Sequence, residues 1–242
     1  MKALAINSSP RKDKGNTSLI LNPFLEGLRE AGVDVELYYT SDLLINPCKG
    51  DFSCWSKPGG RCGQEDDITW LDSKIRDADI LILASPVYCD GVTGPMKTLM
   101  DRTVTQIMPV LEIRDNHTRH PLQKNVKKSK IVLVSNCGFW ERDNFDPLIM
   151  HIQAYCKNAN AEFAGALLRP HGEALRSMLD MGMPIKDILN AAKEAGRQLA
   201  TTGKISADTL NAVSRDLLPR DMYLQVANAS LSDFLDKSRA GQ

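Results

Sequence analysis

The chain has 242 residues, enough to bury one full hydrophobic core, and its 30 Lys and Arg side chains balance its 30 Asp and Glu side chains. Zero net charge removes any global attraction to nucleic acid or to an anionic membrane, so we expect neither as a partner. Met1 leads directly into an apolar segment without a signal-peptide pattern, and no apolar run approaches the ~20 residues of a membrane span. Six cysteines in this context favour a reducing compartment, and we predict a cytoplasmic protein.

The first predicted strand, Lys2–Ser8, runs into a polar, basic loop and then into an amphipathic helix over Thr17–Ala31. A helix N-terminus offers free backbone N–H groups and the positive end of the helix dipole, which suit phosphate. Hydroxyl and guanidinium donors in the loop add to this preference. The loop has neither the G-x-x-x-x-G-K-[ST] pattern of nucleoside-triphosphate sites nor the G-x-G-x-x-G pattern of dinucleotide sites. We therefore predict a site for a phosphate monoester; the alternative is a polar turn with a helix cap.

Four more apolar segments predict strands, and helical periodicity lies between them. The strands are Asp34–Thr40, Ile80–Val87, Lys130–Asn136 and Glu162–Arg169, and the helices are Asp67–Arg76, Gly94–Gln106 and Asn144–Asn158. This alternation predicts an α/β fold with a doubly wound parallel sheet covered by helices on both faces. Five strands with the phosphate loop after the first fit the order 2-1-3-4-5. Ligands then bind at the carboxyl ends of strands 1, 3 and 4.

Three stretches lie outside this alternation. Ile45 to Asp67 is a loop rich in Gly, Pro and Cys, and Met108 to Ser129 is a polar loop. Past Pro170 the chain looks wholly helical, with helical patterns over Ile185–Thr202, Ser206–Leu217 and Arg220–Asp236. We therefore predict a domain over residues 1–203 and a helical C-terminal extension over 204–242, packed on the domain or on a neighbouring subunit.

The loops after the third and fourth strands carry aromatic and glycine residues. The first of these loops runs from Ser85 to Gly91 and includes Tyr88, which can line or stack on a flat ligand. The second begins at Asn136 and continues through Cys137 and Gly138. The carboxyl ends of the strands meet at one crevice, so a single ligand can reach all three loops. Its phosphate would bind the first loop, and a planar group would lie between the other two. We therefore predict a mononucleotide with a large ring system.

Ordered motifs along residues 1 to 170 together resemble one protein family. They are Asn7-Ser8-Ser9-Pro10-Arg11, Gly15-Asn16-Thr17, Pro47-Cys48, Cys54-Trp55, Cys62, Asp66-Asp67, Ala78-Asp79, Ser85-Pro86-Val87-Tyr88, Lys97, Asp101-Arg102 and Asn136-Cys137-Gly138. The chain resembles the flavodoxin-like family of NAD(P)H-dependent FMN oxidoreductases, and within it the branch related to the iron–sulfur flavoproteins. This resemblance implies a flavodoxin-like fold and FMN as the bound mononucleotide.

The resemblance also implies which residues hold FMN and what the protein does. The phosphate would be held by Ser9, Arg11, Asn16, Thr17 and Ser18, one side of the ring and ribityl chain by Pro86, Val87, Tyr88 and Gly91, and the other side by Asn136, Cys137 and Gly138. Reduced nicotinamide would deliver hydride to FMN, and a quinone, flavin, metal complex or nitroaromatic would accept the electrons. The chemistry belongs to the cofactor, so we expect no catalytic side chain. A homodimer or homotetramer is implied as well.

Three alternatives for the function stay open. The first is a flavodoxin-like electron carrier, the second is an iron–sulfur flavoprotein that relays electrons to a protein partner, and the third is a binding module without flavin. The second depends on the loop that holds Cys48, Asp51, Cys54 and Cys62, because the iron–sulfur branch carries four thiolates there for a [4Fe–4S] cluster. Asp51 stands where the second cysteine is expected. We predict no cluster; the alternatives are an aspartate-ligated cluster, or a redox-active thiol pair such as Cys54 with Cys62.

Overall fold

A computed structural model describes residues 1–240. The strands are β1 (Lys2–Asn7), β2 (Asp34–Tyr39), β3 (Ile80–Pro86), β4 (Glu112–Arg114), β5 (His117–Arg119), β6 (Lys130–Asn136) and β7 (Glu162–Arg169). The α-helices are α1 (Asn16–Glu30), α2 (Ile68–Asp77), α3 (Gly94–Arg102), α4 (Asp146–Asn158), α5 (Gly172–Asp180), α6 (Lys186–Thr202), α7 (Ala207–Ser214) and α8 (Arg220–Ala240).

The main sheet has five parallel strands in the order β2-β1-β3-β6-β7. With β6 and β7 as the fourth and fifth predicted strands, this confirms the order 2-1-3-4-5. Alternate residues of each strand face opposite sides of the sheet. Ala3 and Ala5 belong to the core that α1 and α6 cover, whereas Leu4 and Ile6 belong to the core that α2, α3 and α4 cover. Both faces are therefore buried, as the nearly continuous apolar strands predict.

Helices α1 and α6 pack with their backbones in direct contact. A Cβ atom on Gly196 would lie 2.1 Å from the carbonyl oxygen of Phe24, and one on Gly27 would lie 1.9 Å from that of Lys193. Only glycine allows this approach. The close packing holds the second half of α1 against α6.

The structure corrects two sequence predictions. The segment Met108 to Ser129, predicted as a loop, contains an antiparallel hairpin of β4 and β5. Asp115 and Asn116 connect its strands with φ angles of 53° and 58°, the left-handed geometry that two-residue hairpin turns require. The second correction is α5, a separate helix that begins directly after β7 and was not predicted as an element of its own.

The C-terminal helices differ in how they pack. Val213 of α7 is fully buried in the core, and the Ser214 hydroxyl donates a hydrogen bond to the Leu168 carbonyl oxygen at 3.0 Å. In contrast, the side chains of α8 from Asn228 to Arg239 are all exposed. No helix within residues 1–240 combines the length and the apolar character needed to cross a membrane.

Candidate functional site

Side-chain hydrogen bonds hold the loop between β1 and α1 in place. Asn7 accepts a hydrogen bond from the Ser9 backbone N–H at 2.9 Å and donates one to the Ser18 hydroxyl at 3.0 Å. The Ser18 hydroxyl in turn donates to the Lys12 carbonyl oxygen at 2.8 Å. Gly15 precedes α1 and offers no side chain to cap it. The first N–H groups of α1 are thus left for a ligand, as a phosphate site requires.

The carboxyl ends of β1, β3 and β6 converge on a cavity of about 220 Å³, which we call the flavin cavity. Its walls are Ser9, Arg11, Asn16, Thr17, Pro86, Val87, Tyr88, Asn136, Cys137, Gly138 and Glu173. Every predicted site residue except Ser18 and Gly91 lines it. Ser18 instead braces the phosphate loop, and Gly91 pairs with Tyr88 through two backbone hydrogen bonds of 3.1 Å that shape the loop after β3.

The polar groups at the floor of the flavin cavity suit FMN. The Thr17 hydroxyl donates to Asn136 Oδ1 at 2.6 Å, which joins the phosphate loop to the loop after β6. Asn16 Oδ1 is buried without a hydrogen-bond partner. A buried acceptor of this kind is costly unless a ligand satisfies it, and a ribityl hydroxyl of FMN can do so. The residues present therefore fit the phosphate and ribityl chain.

The flavin cavity is smaller than the ~300–1,000 Å³ typical of cofactor sites. A cavity of this size accommodates only part of a mononucleotide. Tyr88, at the rim, is 51% exposed, and Phe139, next to Gly138, is 66% exposed. Aromatic side chains at these positions offer apolar surface to a planar ligand.

Glu173 is a cavity residue that the sequence analysis missed. It lies on the first turn of α5, and its Oε1 accepts a hydrogen bond from Arg11 Nη2 at 2.7 Å. Although burial acts to raise the pKa of Glu173, hydrogen bonds from Arg11 and Asn16 lower it, so the carboxylate is charged at neutral pH. Arg176 on the same helix donates to the carbonyl oxygens of Lys14 and Gly15. A helix commonly follows the carboxyl end of a parallel strand, so the end of β7 could have indicated that a helix such as α5 begins there.

A buried basic pair lies behind the loop after β6. Arg169 and His171 are both fully buried, and Arg169 Nη2 lies 3.2 Å from His171 Nε2. Burial and the neighbouring guanidinium lower the pKa of His171 to about 4, so its ring is neutral at pH 7. The backbone N–H of His171 donates to the Phe139 carbonyl oxygen at 2.8 Å, which ties this pair to the flavin cavity. Burial also raises the pKa of the Cys137 thiol in the cavity wall.

An arginine from α3 contacts the cysteine loop. Cys62 Sγ accepts a hydrogen bond from Arg102 Nη2 at 3.2 Å, and Asp51 accepts one from the Ser53 backbone N–H at 3.0 Å. All six cysteines are free thiols. Within residues 1–240, no group of three or more His, Cys, Asp or Glu side chains is placed to hold a metal ion. The loop offers three thiols and, at Asp51, a carboxylate in place of a fourth thiol, and a carboxylate suits harder metals than cluster iron, so this donor set fits a [4Fe–4S] cluster poorly.

Known proteins share both sequence and fold with this chain. The sequence model of the family described as NADPH-dependent FMN reductase matches residues 1–126. An iron–sulfur flavoprotein of Methanocaldococcus jannaschii is 40% identical over 103 residues, which are 43% of this chain and 52% of that protein. An iron–sulfur flavoprotein of Archaeoglobus fulgidus is 44% identical over 102 residues, 42% of this chain and 45% of that protein. The chain spans about half the length of these relatives.

A solved structure supports the fold. The FMN-dependent NADH-azoreductase of Bacillus anthracis, in complex with FMN, superimposes with a TM-score of 0.58 over 83% of this chain and 99% of its own, at 17% identity. The common fold is flavodoxin-like, as the resemblance implied. Since the family match covers more than half of the sequence, this chain belongs to the NADPH-dependent FMN reductase family, in the branch related to the iron–sulfur flavoproteins.

Proposed function

We propose that the protein is an FMN-dependent NAD(P)H oxidoreductase that passes electrons from reduced nicotinamide to a small acceptor. The observation that carries this proposal is the convergence of the phosphate loop, the Tyr88 loop and the Asn136 loop on one cavity. The family match to NADPH-dependent FMN reductases supports it. When bound, FMN supplies the redox chemistry, namely acceptance of hydride and return of electrons.

The protein's own residues bind and orient the cofactor. The N–H groups at the start of α1 and the Arg11 guanidinium would hold the phosphate. Asn136, fixed by Thr17, would present its amide to the ribityl chain or ring edge. Arg169 adds a buried positive charge near Cys137, and a positive charge favours any negative charge that develops on the ring. No side chain needs to act as nucleophile or general base.

Anaerobic reduction of the FMN-loaded protein tests the proposal. NADPH or NADH should bleach the absorbance of bound flavin, and subsequent addition of a quinone, free flavin, ferric chelate or nitroaromatic should restore it. The acceptor that restores it fastest identifies the substrate class. If neither nicotinamide bleaches bound FMN while dithionite does, the reductase proposal is wrong and an electron-carrier role takes its place.

We also propose that the protein is a homo-oligomer in which α8 packs on a second copy. Leu224, Ala227, Leu231 and Phe234 follow the alternating three- and four-residue spacing of a helix–helix seam. Leu224, Leu231 and Phe234 are 47–65% exposed within one chain. A solvated helix with such a stripe is poorly stabilised alone, because helices in proteins depend on packing of their apolar face. The proposed extension over residues 204–242 thus contributes its last helix to an interface.

Leu231→Asp tests this interface. A charge in the centre of the seam should reduce the oligomer measured by analytical ultracentrifugation to a smaller species. The matched control is Ser232→Asp, one residue away and off the seam, which should keep the native mass. A native protein that sediments as a monomer, or a Leu231→Asp variant of native mass, contradicts the proposed role of α8.

A further inference from the structure

A second cavity lies beside the cysteine loop and is separate from the flavin cavity. Its volume is about 540 Å³, within the range of small-molecule sites. We call it the cysteine-loop cavity. The loop from Cys48 to Cys54 forms one wall, and the chain from Met100 to Ile107, at the end of α3, forms another. It shares no lining residue with the flavin cavity.

Arg102 lines this cavity and has one hydrogen-bond donor to spare. A guanidinium carries five N–H donors. Nη1 donates to the Asn46 carbonyl oxygen at 2.7 Å and to Asp66 Oδ2 at 2.6 Å, and Nη2 donates to Asp66 Oδ1 at 3.1 Å and to Cys62 Sγ at 3.2 Å. Nε is buried and has no partner. Four donors are therefore used, and the fifth lacks an acceptor that a ligand could supply.

The charge of Arg102 is already neutralised. Asp66 binds it through both carboxylate oxygens, and the side chains of the pair are 1% and 0% exposed. Burial acts to raise the pKa of Asp66, but the hydrogen bonds from Arg102 and from the backbone N–H groups of Asn46 and Ile68, together with the charge of Arg102, lower it, so the pair stays ionised. An anionic ligand would bring an unbalanced charge to this site, whereas a neutral oxygen acceptor would satisfy Nε without one.

The remaining walls are largely apolar. Met100, Val104, Ile107 and Leu122 line the cavity together with the ring of Tyr155. Burial raises the pKa of the Cys54 thiol, so this group is uncharged at neutral pH. These surfaces gain free energy when an apolar body displaces water from them.

We propose that the cysteine-loop cavity binds a neutral aromatic molecule that presents a carbonyl oxygen to Arg102 Nε. Aryl ketones and quinones have this chemistry. The inference does not depend on FMN or on the proposed reductase activity, because it is built on a different set of residues. In this proposal the loop from Cys48 to Cys54 forms one wall of a ligand site.

A matched pair of probes tests the hydrogen bond. 1-Tetralone is a neutral aryl ketone, and tetralin is the same bicyclic molecule without the carbonyl group. Calorimetry on the full chain, with excess FMN to fill the flavin cavity, should show that 1-tetralone binds at least tenfold more tightly than tetralin, because only 1-tetralone offers an acceptor to the charged Nε donor. Equal affinities, or no binding of 1-tetralone, overturn the proposal.

A matched pair of variants tests the location. Val104→Trp fills the cavity and should reduce 1-tetralone affinity at least tenfold, while FMN affinity is unchanged. Val110→Trp introduces the same ring at a 51% exposed position outside the cavity and should bind 1-tetralone like the native chain. Unchanged 1-tetralone binding by Val104→Trp overturns the assignment.

Photolabelling of the native chain gives a result that does not depend on how the variant folds. Benzophenone is a neutral aryl ketone that crosslinks next to its carbonyl group on irradiation. Peptide mapping should place the label within residues 100–107 or on Tyr155, and excess 1-tetralone should prevent it. Labels confined to other segments, or labelling that 1-tetralone does not reduce, contradict the site.

Discussion

Two fully buried arginines lie under the two cavities, and their partners differ. Arg102, beside the cysteine-loop cavity, is neutralised by the Asp66 carboxylate. Arg169, behind the flavin cavity, donates to the carbonyl oxygens of Pro170, Val213 and Arg215 and to Nε2 of a neutral His171, and it has no carboxylate partner within residues 1–240. Burial without a carboxylate lowers the pKa of Arg169 to about 10.

The difference indicates what each cavity can bind. An uncompensated buried cation favours negative charge nearby, which agrees with the proposed role of Arg169 toward negative charge that develops on a bound flavin ring. A compensated cation favours a neutral ligand, as we propose for the cysteine-loop cavity. The charge balance of the buried scaffold, more than the number of polar groups in the wall, distinguishes the two sites. Each prediction below changes one side of this comparison.

The largest expected effect comes from removing the carboxylate that neutralises Arg102. Asp66→Ala leaves a buried guanidinium without its carboxylate and should reduce the free energy of unfolding by about 3–5 kcal/mol. The measurement is urea denaturation. Asp101→Ala is the control, because the Lys97–Asp101 pair is about half exposed and should contribute less than about 1 kcal/mol. Equal losses of unfolding free energy in the two variants would show that the buried Arg102–Asp66 pair stabilises the fold no more than an exposed pair does.

The second prediction concerns the pH dependence of stability and His171, the neighbour of the unneutralised Arg169. As pH falls, the unfolded chain protonates His171 near the ordinary pKa of 6.5, whereas the folded chain keeps it neutral down to about 4. The unfolded state therefore binds more protons in this window, and the folded protein loses up to about 3 kcal/mol between pH 6.5 and pH 4. His171→Asn suits the φ of 41° and should flatten this part of the stability–pH curve.

The control for His171 is His117→Asn. His117 lies exposed on β5, so this variant should keep the native pH dependence between pH 6.5 and pH 4. A native slope in His171→Asn would mean that other groups cause the loss of stability in acid.

The third prediction alters charge in the flavin cavity itself. Glu173→Gln removes a carboxylate that competes with phosphate for Arg11, and FMN should bind about tenfold more tightly, or about 1.4 kcal/mol. Calorimetry measures the dissociation constant, and Glu26→Gln, on a surface pair with Lys193, should leave it unchanged. Weaker binding in Glu173→Gln would show that Glu173 serves mainly to orient Arg11.

The smallest expected effect is on the link between α8 and the flavin cavity. The Tyr223 hydroxyl donates to the carbonyl oxygen of Gly138 in the cavity wall. Tyr223→Phe should loosen this end of α8 by about 1 kcal/mol, seen as faster hydrogen exchange in α8. Tyr39→Phe removes a hydroxyl that contacts Asp13 and should not change exchange in α8. Unchanged hydrogen exchange in Tyr223→Phe would show that this hydrogen bond does not hold α8 against the wall of the flavin cavity.

The sheet and the phosphate loop could be predicted because they follow from local sequence. Strands such as Lys130–Asn136 are runs of apolar residues, and their order follows from alternation with helices. The carboxyl ends of parallel strands meet at one edge, so loops after three strands could be assigned to one cavity. The same reasoning stops short of exact contacts: Ser18 and Gly91 lie in the right loops but shape them instead of lining the cavity.

The rest of the site depends on pairings between distant residues. Asp66 and Arg102 are 36 positions apart, and nothing in either segment shows that the two form a buried ion pair. Arg169 reaches the backbone of residues 213–215 only because α7 packs on β7. Glu173 faces the cavity because α5 begins two residues after β7, and no local pattern shows that the first turn of this helix reaches Arg11. The hairpin of β4 and β5 depends on a two-residue turn without glycine.

Calorimetric titration of the protein with FMN and with riboflavin tests the central claim most directly. The account predicts that FMN binds and that riboflavin, which lacks the phosphate, binds at least a hundredfold more weakly, because the start of α1 and Arg11 hold the phosphate. Equal affinity for the two molecules, or no heat with FMN, would contradict it.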